Sequence, residues 1–145
     1  MAKEYIETGK VKYVYLDYPL ESIHQYAFKA AEAVTCAAEQ GKFWEMHDHL
    51  FANQNGLELI QLKSYAEALG LDNPKFDTCL ESGKYAGEVR KDLALGAKAG
   101  ITATPSFGIG FTDSEDPNKV KVVQILRGAL PFNSFKPVID SLLSQ

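Results

Sequence analysis

Few residues in this 145-residue chain have the side chains for covalent chemistry: two cysteines and three histidines. Cys36 and Cys79 stand far apart and form no Cys-x-x-Cys. A disulfide between them would close a long loop and, by chain entropy, stabilise the fold by about 4 kcal/mol. Two reduced thiols packed as small apolar groups are the alternative reading. A catalytic role is not expected of either, because neither has a neighbouring cysteine and Cys36 falls in mid-helix, away from the helix N-terminus that activates a thiol. The second candidate is the run Gly100-Ile101-Thr102-Ala103-Thr104-Pro105-Ser106-Phe107. A cis bond between Thr104 and Pro105 would set backbone groups for β-type pairing with a bound peptide. A trans proline in an ordinary turn before a strand is the plain alternative.

Other groupings carry less. His47-Asp48-His49 places its histidines at i and i+2, on different faces of a helix, unlike the i, i+4 pair of a zinc site. His47 therefore reads as a helix-packing residue, and His24 stands alone. Gly108-Ile109-Gly110 lies in a strand, where close backbone packing explains the glycines. Asp113, Glu115 and Asp116 do not keep calcium-loop spacing and read as a solvated turn. No metal and no cofactor is expected.

The elements that would position these residues follow from periodicity. Residues 2–8 read as the end of a helix stopped by Gly9. Val11 to Leu16 is β-branched and aromatic and reads as a buried strand, ended by Asp17-Tyr18-Pro19-Leu20. A long helix is expected from about His24 to Gln40, with Ala27, Ala31, Val34 and Ala38 on one face. Phe43, Met46, His47 and Leu50 mark the next helix, and Leu62, Ala66 and Leu69 a third. Asn73-Pro74 reads as an N-cap and N1 proline of a fourth, which carries Phe76, Cys79 and Leu80 and ends near Gly83. Val89, Leu93 and Ala97 stripe a fifth helix. Strands are expected over Ser106–Phe111 and Val120–Leu126, joined by the polar turn from Thr112 to Asn118. A last helix spans about Pro131–Leu143. The order is strand, helical block, hairpin, helix, an α/β arrangement.

Composition bounds the rest. Apolar residues make up 46% and charged residues 23% of the chain, an ordinary balance for a globular protein. A net charge of −4 gives no reason to expect nucleic acid or an anionic membrane as partner. No apolar run approaches the roughly 20 residues that span a bilayer. Met1 to Lys10 lacks the apolar core of a signal peptide. One domain over residues 1–145 is expected.

This order, with these residues, resembles the DsbA-like branch of the thioredoxin superfamily, in the group with a helical insertion. The resemblance rests on Tyr5 to Val11, Asp17 to Leu20, Ala30 to Ala33, Glu39 to Asp48, Leu50 to Gln54, Tyr65 to Asp72, Gly100 to Phe107 and Gly128 to Phe132. It implies a thioredoxin-like α/β domain with the helical block, about 22–99, inserted as one piece. It also implies thiol–disulfide exchange in a periplasmic or other extracytoplasmic setting, with Thr104 and Pro105 holding an extended peptide or protein thiol. The family's first βαβ unit carries Cys-Pro-x-Cys at a helix start, which this sequence lacks. The expectation is therefore a truncated first unit and a chain inactive in redox chemistry by itself. The alternative is a non-catalytic module that binds peptides or a partner subunit through the same loop. With the central strand missing, two facing strand edges would stand open, and a homodimer is expected to close them.

Overall fold

The computed structural model describes residues 1–117 and 119–145; Asn118, the last residue of the expected polar turn, lies outside them. The chain divides into two compact units, Leu16–Lys98 and a discontinuous one made of Met1–Tyr15 with Ala99–Gln145.

The first unit is five helices: α1 (Ala27–Ala38), α2 (Phe43–Ala52), α3 (Leu59–Ala68), α4 (Asn73–Ser82) and α5 (Ala86–Lys98). Helix α1 packs against each of the other four. Its sequence explains why: Ala30, Ala33, Val34, Cys36 and Ala37 are buried, and small side chains let several helices approach one axis closely. Met46, Leu62, Ala66, Phe76 and Leu80 fill the space around it and are fully buried.

Helix α4 shows how locally these boundaries are set. Its N-cap is Asp72, one residue earlier than the sequence suggests, and the Asp72 carboxylate accepts the Lys75 N–H at 3.2 Å. Pro74 occupies the first turn, where its missing N–H leaves no bond unmade. The helix stops at Gly83, whose φ of 65° lies in the left-handed region that a side chain disfavours.

The second unit contains a short π-type helical segment, Ala2–Ile6, the strands β1 (Ser106–Thr112) and β2 (Val120–Arg127), and helix α6 (Phe132–Leu143). The strands form an antiparallel pair running from Ser106 opposite Arg127 to Thr112 opposite Val120. The register jumps from Ile109 opposite Gln124 to Gly110 opposite Val122, so Val123 is the extra residue of a bulge. Gly110 allows it: a Cβ there would lie 2.0 Å from the Lys121 carbonyl oxygen. Helix α6 covers one face of the hairpin. Phe135 and Ile139 are buried with Tyr5, against Phe107, Ile109 and Leu126, and Phe107 meets Phe135 edge-on at 4.8 Å between ring centroids. Tyr5 also donates its hydroxyl hydrogen to Asp140.

The strand expected over Val11–Leu16 is not formed. The Lys10 and Val11 N–H groups both turn back to the Tyr5 carbonyl, at 2.9 and 3.0 Å. Beyond them Val14 and Leu16 are 53% and 50% exposed. Among the described residues the sheet has two strands only, so this β-prone segment has no ladder to join, and propensity alone does not make a strand.

Candidate functional site: the proline loop and the linked cysteines

The loop before β1 is tied on both sides of one residue. Ser106 donates its hydroxyl hydrogen to the Ala103 carbonyl at 2.7 Å, and the Gly128 N–H donates to the Pro105 carbonyl at 2.8 Å. The Thr104–Pro105 peptide bond is cis. Thr104 and Pro105 are both exposed. Among the described residues no hydrogen bond takes the N–H or the carbonyl of Thr104. An exposed residue with one spare donor and one spare acceptor, held by its neighbours, suits antiparallel pairing with one residue of an extended chain. Beside it, β1 pairs only with β2 among the described residues, so its second edge stands open as well.

The cysteines belong to the helical unit, on α1 and α4. Cys36 and Cys79 are joined as a disulfide across a sequence separation of 43. The alternative of two reduced thiols is thereby set aside, and the chain has no free cysteine. Cys36 is 1% exposed and Cys79 5%. Over Cys79 opens a shallow cleft of about 420 Å³ lined by Glu39, Thr78, Cys79, Ser82 and Lys84, among others. Glu39 takes an ion pair from Lys84 and a hydrogen bond from the Tyr85 hydroxyl. These two donors hold its carboxyl below the usual range.

The histidines do not converge. His47 lies among Phe43, Trp44 and Phe51, with ring centroids 4.7 Å from Phe51 and 5.3 Å from Trp44. His49 packs on Tyr65 instead, 4.5 Å away. The two rings thus serve different contacts, as their i, i+2 spacing dictates.

Two features escape a reading of the sequence. Asp17 is partly buried, and its backbone N–H donates to the Asp92 carboxylate at 3.0 Å. Burial first, then the Asp92 charge, pushes the Asp17 carboxyl up to about 6, against a smaller opposing pull from His47. Nothing local marks the pair, which is 75 residues apart. Glu32 is the other: it is 1% exposed on α1, where its Oε2 takes Lys29 at 2.6 Å. Among the described residues its Oε1 has no hydrogen-bond partner. A charge set inside the run Ala30-Ala31-Glu32-Ala33-Val34 is the signal that could have found it.

The thioredoxin family model matches residues 1–126, from the N-terminal segment through most of β2. The chain belongs to the thioredoxin family. Its curated relatives carry another name. A Na⁺/H⁺ antiporter NhaA 3 of Salinispora tropica is 36% identical over 118 residues, 81% of this chain and 18% of the antiporter. An NhaA 1 of Salinispora arenicola is 39% identical over 97 residues, 67% of this chain and 15% of the relative. An NhaA 1 of Mycolicibacterium vanbaalenii is 41% identical over 107 residues, 72% and 17% respectively. The chain thus spans less than a fifth of the length of the curated relatives it matches. No solved structure matches. This chain has a cis Thr104–Pro105 bond and no Cys-x-x-Cys among its residues. Among the described residues no helix is long and apolar enough to cross a membrane.

Proposed function

We propose that this thioredoxin-family chain is DsbA-like, receives an extended peptide or protein thiol along Thr104 and Pro105, and does not itself turn over dithiols. Membership of the family supports the disulfide-oxidoreductase kind. The observation that carries the finer reading is the bond between Cys36 and Cys79. Exchange begins with a thiolate, and thiol reactivity depends on an electropositive, accessible setting such as a helix N-terminus. Here no Cys-x-x-Cys is present, and the two sulfurs are joined to one another between two helices of the core, at no helix N-terminus. What is left for a partner chain is the spare amide and carbonyl of Thr104. The same residue supports the second reading, a binding module for a peptide or partner subunit, in which exchange chemistry plays no part. Ion transport is not included, because the match covers at most 18% of each antiporter named above.

The test is insulin reduction by the purified chain with dithiothreitol, beside the uncatalysed reaction. No acceleration is expected. Turnover above background that disappears in Cys36→Ser would refute the reading. The loop is tested separately by titrating a cysteine-blocked extended peptide and following backbone amide resonances. Shifts centred on residues 103–106 are expected, and shifts elsewhere with none there would exclude the loop.

A further inference from the structure

The two sulfurs of the disulfide are not equivalent. Cys36 sits in the middle of α1, 1% exposed and inside the helical core. Cys79 is on α4 and lines the cleft of about 420 Å³, where Cys36 is not among the lining residues. We propose that Cys79 is a modification site: a low-molecular-weight thiol enters this cleft and attacks the Cys79 sulfur.

In that step the thiolate RS⁻ forms an RS–Sγ bond to Cys79 as the Cys36–Cys79 bond breaks. The electron pair leaves on the Cys36 sulfur, which then takes a proton from water. One thiolate enters and one departs, so the mixed disulfide forms without any other oxidant or reductant. Access decides which sulfur is attacked: Cys79 is the member of the pair that lines the cleft, and it is 5% exposed against 1% for Cys36.

The surroundings also favour persistence of the adduct. Cys36, released among Ala33, Ala37 and Met46 in the core, is in apolar surroundings that keep a thiol protonated. Return attack needs its thiolate, so resealing is slow. The cleft wall offers polar partners for a small thiol. The Thr78 and Ser82 hydroxyls have donated their hydrogens to the Pro74 and Cys79 carbonyls and keep lone pairs to accept. Glu39 Oε1 lies 3.9 Å from the Cys79 sulfur, with its charge offset by Lys84. With that offset, the carboxylate repels the incoming thiolate less than a free one would.

The experiment treats the folded, oxidised chain with 2-mercaptoethanol, quenches early time points with acid, and maps the adduct by peptide mass. A mercaptoethanol group on Cys79 with a free thiol on Cys36 is expected. An adduct on Cys36, an even mixture, no adduct, or thiols that appear only at the rate of global unfolding would overturn the proposal. A second arm uses Cys36→Ser and Cys79→Ser, each checked for fold by circular dichroism, with an aromatic disulfide reagent under native conditions. Cys79 in the first variant is expected to react at least about tenfold faster than Cys36 in the second. Equal or inverted rates would also overturn it.

Discussion

Asp17 carries a charge where the fold disfavours one. Its carboxyl titrates at 3.8 in an ordinary setting and at about 6 here, from burial and the neighbouring Asp92. Between those values the folded chain holds a proton that the unfolded chain has lost, so stability falls as the pH rises from about 4 to about 6. Above that window Asp17 is a net liability, of about 1–2 kcal/mol once solvent screening of a partly exposed group is allowed for. Asp17→Asn mimics the protonated form and lacks this fall. Urea titrations at pH 4 and pH 7 should show the variant gaining on the parent at the higher pH; a constant difference would remove Asp17 from the account. Gly110 is constrained by space instead of charge. Gly110→Ala places a methyl 2.0 Å from the Lys121 carbonyl oxygen, and backbone on both strands must move to admit it. A loss of roughly 1–3 kcal/mol is expected, read by chemical denaturation; an unchanged midpoint would mean that the bulge is not as tight as described.

Helices α1 and α4 are joined by both packing and a covalent bond, and the two contributions separate by mutation. Replacing Cys36 and Cys79 together by serine releases a loop of 43 residues and should lower stability by about 4 kcal/mol or somewhat less. A loss well under 1 kcal/mol would indicate that packing alone fixes the pair. At this scale much of the structure is legible in the sequence. Helix ends are written in neighbouring residues, as Asp72, Pro74 and Gly83 show for α4. The hairpin of β1 and β2 is legible too, since its strands are close in sequence and differ sharply from the polar turn between them. The strand expected at Val11–Leu16 is not, because a strand exists only with a partner alongside. The cysteine pairing stays open in the sequence for a similar reason: helix patterns place both residues, but not which helices touch.

Across the whole chain, the proline loop is legible because its run of residues is contiguous. Asp17 with Asp92, and the cleft over Cys79, are not, since their parts meet only after several helices have packed. The open edge of β1 bears on assembly. With two strands in the sheet among the described residues and Phe111, Val120, Val122 and Val123 exposed, edge pairing between two copies is the expected outcome. Light scattering at micromolar concentration should give twice 16.0 kDa; a folded sample at 16.0 kDa alone would argue against it. The division of the chain also sets an order in time. Leu16–Lys98 is continuous, whereas Met1–Tyr15 shares its unit with Ala99–Gln145, and Tyr5 finds Phe135, Ile139 and Asp140 only there. On a ribosome, the helical unit can complete its core while Ala99–Gln145 is still being translated. Tyr5 must wait, with its apolar ring in water, until α6 emerges. Met1–Tyr15 is thus made before the helical unit yet packs after it, and loss of α6 would leave Tyr5 without a place to pack.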